Sequence, residues 1–277
     1  MTDLYAVIGN PVAHSRSPFI HAEFARQAGQ DMSYEALLAP MDAFVQTVAG
    51  FRRRGGKGAN ITIPFKLAAC VMADRLTERA EAAQAVNTLV FNTEEILGDN
   101  TDGAGLVRDI VVNRSYPVEG KRVLLMGAGG AARGVVLPLL EQKPAMMTVV
   151  NRTRQKAHGL QRQFSSYGSI DLVDYAELGG EKFDLVINAT SASLQQEVPA
   201  LPEEVFAPGA LAYDMMYADR PTPFLQFAER NGAARLADGI GMLVEQAAES
   251  FFLWRGIRPE TVPVITLLRP FPPRPKP

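Results

Sequence analysis

Two groups of residues in this chain have the types and spacing that chemistry requires. The first is Lys121-Arg-Val-Leu-Leu-Met-Gly-Ala-Gly-Gly-Ala-Ala-Arg133. The apolar run Val123–Met126 suits a buried parallel strand, and Gly127, Gly129 and Ala132 follow it at G-x-G-x-x-A spacing. Gly127 permits the tight turn, Gly129 lets a pyrophosphate approach the backbone, and Ala132 lets the next helix pack closely on the strand. Ala128, Gly130 and Ala131 complete that turn, where the helix offers free N–H groups and the positive end of its dipole to phosphates. A second apolar strand then ends in Asn151, Arg152, Thr153 and Arg154. An NAD site usually places a carboxylate there for the ribose 2′-hydroxyl. A carboxylate would repel a 2′-phosphate, whereas Arg holds one with paired charge-assisted bonds. The segment therefore reads as an NADP(H) site. A glycine cluster alone often marks only a turn, but strand, turn, helix, strand and cationic end in this order are much more specific.

The second group is spread along the chain. In Asn60-Ile-Thr-Ile-Pro-Phe-Lys66, Asn60 and Thr62 share one strand face, while Ile61 and Ile63 point to a core. Pro64 can open a helix at its first turn, which places Lys66 near a helix N-terminus. Asp102 ends Asp99-Asn-Thr-Asp102 before an apolar helix expected over Ala104–Val112, where a helix cap is the plainer role. Ser15 and Ser17 lie in the Gly9–Pro18 loop; their hydroxyls suit a carboxylate, and Ser17 also reads as a cap before Pro18. Gln246 falls on the packed side of a long helix, where a ligand hydroxyl could partner its amide. A lysine placed near a helix N-terminus is suited to acid–base work. Taken singly, Lys66 is a surface lysine and Asp102 a cap.

These residues need a scaffold, and the chain supplies an α/β one. Its 277 residues are enough for two domains, with 47% hydrophobic and 21% charged residues. The net charge of −2 provides no basic field for nucleic acid or membrane, and Arg52-Arg-Arg54 reads as a solvated helix end. One cysteine, Cys70, excludes an intramolecular disulfide framework and fits a reducing compartment; it reads as packing. His14, His21 and His158 are not at metal-ligand spacing, so no metal site is expected. No targeting or membrane segment stands out, and a cytoplasmic location is expected.

Strands are expected at Leu4–Ile8, Tyr34–Leu38, Ala59–Ile63 and Thr88–Phe91, alternating with helices at Pro18–Ala28, Asp42–Arg53, Phe65–Met72 and Thr77–Ala83. A second parallel series follows at Val123–Met126, Thr148–Val150, Leu185–Asn188 and Ala212–Asp214. Helices at Met242–Arg255 and Glu260–Leu268 come after that series and are expected to return to the first domain. The expected division is a substrate-binding domain, 1–101 completed by 238–268, and a Rossmann-type domain, 102–237, with the active site in the cleft between them. The Pro-rich residues 269–277 are expected to form a mobile tail.

With the cofactor motif, the polar clusters resemble the shikimate dehydrogenase family from Tyr5 to about Leu268. The matching segments are Gly9-Asn-Pro with His14-Ser-Arg-Ser-Pro18, Asn60 to Lys66, Ala85-Val-Asn-Thr88, Asp99 to Gly103, Gly127 to Ala132, Asn151-Arg-Thr153 and Asp238 to Gln246. The resemblance implies reversible reduction of 3-dehydroshikimate to shikimate with NADPH, a step toward chorismate and the aromatic amino acids. It implies Lys66 and Asp102 as the catalytic pair. Ser15 and Ser17, with Tyr217, would hold the substrate carboxylate, and Asn60, Thr62, Asn87 and Gln246 its hydroxyl edge. Asn151, Arg152, Thr153 and Arg154 would hold the 2′-phosphate, and Thr190, Met215, Gly239 and Met242 would line the cofactor or nicotinamide side. The implied partner is a small-molecule substrate, with no nucleic acid or membrane, for a monomer or homodimer. The chain departs from many members at Ala22, where they carry Asn, and at Ser191-Ala-Ser-Leu194, where they carry a glycine. Two other functions fit the same features: a quinate/shikimate dehydrogenase of broader specificity and a non-catalytic NADP-binding sensor.

Overall fold

The computed structural model describes residues 2–190, 192 and 197–269. The residues of the expected tail beyond 269, and all of Ser191–Leu194 except Ala192, lie outside them. The first part of the chain runs β1 (Asp3–Gly9), α1 (Ser17–Ala28), β2 (Met32–Leu38), α2 (Phe44–Arg53), β3 (Gly56–Ile61), α3 (Lys66–Met72), β4 (Arg75–Leu76), α4 (Glu78–Ala83), β5 (Thr88–Phe91) and β6 (Ile96–Asp99). Next comes α5 (Asp102–Arg108), continued by one π-helical turn over Asp109–Asn113. The nucleotide-binding series is β7 (Arg122–Met126), α6 (Gly130–Glu141), β8 (Met146–Val150), α7 (Arg154–Phe164), β9 (Asp171–Val173), β10 (Phe183–Asn188), β11 (Phe206–Asp214), α8 (Pro223–Arg230) and β12 (Arg235–Ala237). α9 (Ile240–Arg255) and α10 (Val262–Leu268) complete the described chain. Among the described residues, no helix is long and apolar enough to cross a membrane.

The described strands form two six-stranded sheets. The second, β12-β11-β10-β7-β8-β9, is wholly parallel and winds outward from β7 in both directions. That order places a switch point between β7 and β10, where α/β sheets bind ligands. The first, β2-β1-β3-β5-β6-β4, is mixed, which corrects the expectation of parallel strands throughout. The connection between Phe91 and Ile96, closed by the Asn92 N–H donating to the Glu95 carbonyl, is too short for a crossover. β5 therefore runs antiparallel to both β3 and β6.

The turn around Pro64 overturns three further expectations. β3 stops at Ile61, and the chain turns over residues 63–65 with Pro64, which has no N–H to donate, inside the turn. The alternation of faces ends there: Ile61 is 2% exposed, but Ile63 is 57% exposed and joins no core. Pro64 stays outside α3, which begins at Lys66. Cys70 packs against the core formed by Ala59, Ile61, Phe44 and Phe65, and burial pushes its thiol up.

α9 returns across the first sheet. Val244, Ala247, Ala248 and Phe251 form one apolar cluster with Val264 and Ile265 of α10 and with Ile20 and Phe24 of α1. Beside it, His21 is fully buried and stacks on Tyr34, with ring centroids 4.2 Å apart. Burial pushes its imidazole down to about 3, against a smaller upward pull from the Asn60 side chain. α5 packs against both α6 and α9. Its Gly105 permits the close approach, since a Cβ there would stand 2.7 Å from the Gln246 Cβ.

Two outcomes follow from this packing. Phe251→Ala should lower the free energy of unfolding by about 3–5 kcal/mol in urea titrations, since it empties the seam between α9 and α1. His21 takes up a proton in the unfolded chain below its ordinary value of 6.5, and in the folded chain only near 3. Stability should therefore decline as pH falls through that window, more steeply in the wild type than in His21→Phe. Parallel slopes in the two proteins would contradict the buried neutral imidazole.

Candidate active site

The register of the first sheet explains why distant segments meet. Asn60 pairs with Thr88, and Thr88 with Asp99. With β5 antiparallel, the carboxyl end of β3, the amino end of β5 and the carboxyl end of β6 share one edge. The segments 62–66, 85–88 and 99–102 all open there, beside the loop that follows β1.

Lys66 and Asp102 are each the first residue of a helix, α3 and α5. Lys66 Nζ donates to Asp102 Oδ2 at 2.5 Å, with side-chain exposures of 20% and 8%. Asp102 is not used as a cap. Thr101 holds the N-cap position, and the Asp102 N–H donates to Asn100 Oδ1 at 3.1 Å. Its second oxygen, Oδ1, instead accepts from Asn87 Nδ2 at 2.9 Å. Asn87 is oriented in turn: its Oδ1 accepts from the Thr101 N–H at 2.8 Å and from the Thr88 hydroxyl at 2.9 Å. Gln246 reaches the same point from α9, its Oε1 3.3 Å from Asn87 Nδ2 while its Nε2 donates to the Leu243 carbonyl. One amide and one lysine thus hold both oxygens of a nearly buried carboxylate.

Asn60 sits behind this group. Its Oδ1 accepts from the Tyr34 hydroxyl at 2.7 Å, and its Nδ2 donates to Ser250 Oγ at 2.9 Å and Thr88 Oγ1 at 3.1 Å. Its amide is thus engaged by protein on both sides, which fixes its orientation in the site wall. Tyr34, Thr88, Thr101 and Ser250 belong to the network, and sequence reasoning assigned none of them a role. Small polar residues in strands and helices carry no local mark of one; a serine on the buried face of α9 was the only sign.

Ser15 and Ser17 stand at the start of α1. The helix begins at Ser17, with Arg16 in the N-cap position. The Ser15 hydroxyl accepts the Ser17 N–H at 3.2 Å, and Ser17 is the first helical residue instead of the cap. Ser17 is buried beside the Tyr34 phenol. Thr62 lies against Gly9, where a Cβ would stand 2.2 Å from the threonine methyl, and so it adjoins the serine loop. Tyr217 packs on the α9 cluster. Burial raises its phenol, and Arg16 pulls it back down, which places the guanidinium near Tyr217.

The second sheet supplies a cavity of about 530 Å³ at its switch point. Gly127, Ala128, Gly129, Gly130 and Ala131 form one wall. Gly127 has φ +111°, a conformation that disfavours any side chain, and a Cβ there would stand 3.1 Å from the Ala189 carbonyl. At Gly129 and Gly130 a Cβ would meet nothing within 4 Å. The 12-residue α6 thus presents an open N-terminus with no acidic residue in its first turn. A pyrophosphate fits such a cradle. Asn151, Arg152 and Thr153 form the far wall together with Lys156 and Tyr175.

Arg154 is not part of that wall; its guanidinium pairs with Asp174 at 2.7 Å. Sequence analysis did not assign Lys156, although its place in the first turn of the helix opened by the cationic run was a signal for it. Tyr175 comes from a separate segment, and only folding brings it near Arg152. Across the cavity, at the ends of β10 and β11, the Thr190 hydroxyl donates to Asn188 Oδ1 at 2.7 Å. Asn188 Nδ2 donates to Asp214 Oδ1, which also accepts the Met216 N–H at 3.0 Å. The Gly239 N–H donates to the Met216 carbonyl, and Met215 packs against the core that includes Met242. Thr190, Met215, Gly239 and Met242 are therefore assembled around one region.

Residues 7–89 match the model of the shikimate dehydrogenase substrate binding domain, 109–198 that of shikimate/quinate 5-dehydrogenase, and 239–269 that of the shikimate 5′-dehydrogenase C-terminal domain. The shikimate dehydrogenase (NADP(+)) of Nitrosospira multiformis is 69% identical over 97% of this chain and 98% of its own. The crystal structure of an enzyme from Pseudomonas putida is similar at a TM-score of 0.93 and 48% identity, covering 98% of this chain and 99% of that one. The shikimate 5-dehydrogenase of Thermus thermophilus, in complex with NADP(H) and shikimate, has a TM-score of 0.85 at 32% identity, covering 96% and 98%.

The far wall of the cavity yields a test. Arg152→Ala should raise KM for NADP much more than KM for NAD in steady-state assays, because only NADP carries the 2′-phosphate. Equal losses on both cofactors would remove Arg152 from that role.

Proposed function

This chain belongs to the shikimate dehydrogenase family, and we propose that Lys66 and Asp102 carry the proton chemistry of its reaction in the cleft between two domains. The reaction is the NADP(H)-dependent interconversion of 3-dehydroshikimate and shikimate, a step toward chorismate and the aromatic amino acids. The single observation that supports the assignment is the placement of Asp102. Its carboxylate is bonded to Lys66 on one side and Asn87 on the other, and it is not used for capping.

When bound, NADPH supplies the hydride. Asn151, Arg152, Thr153 and Lys156 would hold its 2′-phosphate, the turn 127–131 its pyrophosphate, and Thr190, Met215, Gly239 and Met242 its nicotinamide side. Lys66 Nζ donates a proton to the carbonyl oxygen as negative charge develops there, and in the reverse direction takes it from the hydroxyl. Asp102 keeps the ammonium aimed at that oxygen. Ser15 and Ser17, with Tyr217, hold the substrate carboxylate, and Thr62, Asn87 and Gln246 take its hydroxyls. Fixing both ends of a small rigid ring leaves it little orientational freedom to lose in the transition state.

The substrate unit comprises 1–101 completed by 238–268, and the nucleotide unit 102–237. The chain acts in the cytoplasm on small molecules, as a monomer or homodimer, without nucleic acid or membrane.

Lys66→Ala should lower turnover with shikimate and NADP by about a hundred- to ten-thousand-fold. The protein should still fold, with its melting temperature lowered because Asp102 loses its ammonium partner. Asp102→Asn keeps the shape and removes the charge, so it should lose turnover comparably, and the double variant should be little worse than either single. Normal turnover in Asp102→Asn would return that residue to a structural role.

A further inference from the structure

Asp109 has no part in the chemistry above, yet it is 1% exposed and tied to three elements. It opens the π-helical turn at the far end of α5, the helix whose first residue is Asp102. Its Oδ2 accepts from the Tyr213 hydroxyl at 2.8 Å, and its Oδ1 from Asn113 Nδ2 at 3.1 Å. Arg114 Nε lies 3.5 Å from Oδ2. The same Asn113 amide donates to Glu245 Oε1 at 2.9 Å. That oxygen also takes the Thr261 hydroxyl at 2.6 Å, while Oε2 faces Arg108 Nε at 3.0 Å. One amide therefore links two buried carboxylates, one at the end of α5 and one on α9.

The partners lead to the nicotinamide side. Tyr213 is fully buried in β11, two residues before Met215. The first turn of α9 lies directly on the carboxylate, since a Cβ at Gly241 would stand 2.0 Å from Asp109 Oδ1. Two residues earlier, a Cβ at Gly239 would stand 2.2 Å from the Met215 carbonyl. Packing alone does not call for this arrangement, because an apolar pair of similar volume fills such a space at no desolvation cost. What the carboxylate–phenol pair adds is direction: a carboxylate that must meet its donors permits fewer arrangements of the elements carrying them.

We propose that Asp109 and Tyr213 are positioning residues for hydride transfer, their bond fixing the catalytic end of α5 relative to the nicotinamide-side residues Met215, Gly239 and Met242. α5 has seven residues, a rod of about 10 Å, short enough to transmit placement from one end to the other. The role rests on the assignment of Lys66 and Asp102 and of the cofactor side made above. It predicts that loosening the bond slows the chemical step and leaves ligand binding nearly intact.

The test compares wild type, Tyr213→Phe, Asp109→Asn and the double variant in oxidation of shikimate with NADP. Rates are normalised to folded protein by NADP-binding stoichiometry. Tyr213→Phe keeps the ring and its packing, and Asp109→Asn provides a second, isosteric route to the same break. The expected result is a fall in kcat of about ten- to a hundredfold in each single variant, with KM for both ligands within about twofold. The primary isotope effect with shikimate deuterated at the reacting carbon should rise, and the double variant should be no slower than the singles. Unchanged kcat per folded molecule, a loss confined to KM, or additive losses in the double variant would each overturn the positioning role. The wild type separates the two readings: failure to oxidise shikimate would overturn the assigned reaction, whereas normal wild-type turnover with normal Tyr213→Phe turnover would overturn only the role of the pair.

Discussion

A carboxylate drawn almost wholly out of water must find partners for both of its oxygens, and Asp102 is such a carboxylate. One oxygen takes the Lys66 ammonium and the other the Asn87 amide. The first partner comes from the turn after β3, the second from the start of β5, and Asp102 itself from the turn after β6. All three can meet only because β5 runs against its neighbours. An all-parallel sheet would put the start of β5 at the opposite edge. The antiparallel hairpin in an otherwise doubly wound molecule is therefore a condition for the site.

Behind the pair, hydroxyls and amides satisfy one another. Asn87 is held by Thr88 and Thr101, and Thr88 and Asn60 by Ser250, with Thr88 Oγ1 and Ser250 Oγ 2.8 Å apart. Such networks stabilise a fold only when complete, because each unpaired buried group carries its full desolvation penalty. Completeness also makes the network stiff. Ser250 belongs to the returning helix α9, so this stiffness depends on the chain coming back across the first sheet after finishing the second.

The nucleotide side follows the same economy. A buried Asn188–Asp214 pair joins the ends of β10 and β11 and holds Thr190 and Met216 in place. Asp214 Oδ2 also takes the Thr222 hydroxyl at 2.6 Å, which ties down the segment that carries Tyr217. Thr190 is thus backed by a buried polar group at the end of a strand, as Lys66 is backed by Asp102.

Much of this was legible in the residues. The glycine turn and the cationic end of β8 are local devices: backbone conformation, a dipole and charge act over a few positions, so the cofactor could be read from one segment. Lys66, Asp102, Asn87 and the serine loop were legible as members of ordered motifs, though each alone had a plainer role. Folding then altered the details that depend on distant partners. Ile63 left the core because the chain turns at Pro64, Ser17 became the first helical residue instead of the cap, and Arg154 turned to Asp174 while Lys156 and Tyr175 joined the wall. Tyr34, Thr88, Ser250, Asp109 and Tyr213 had no visible role until strand register and the return of α9 brought them together. A short polar side chain is defined by what it meets, and over such separations in sequence only packing determines that.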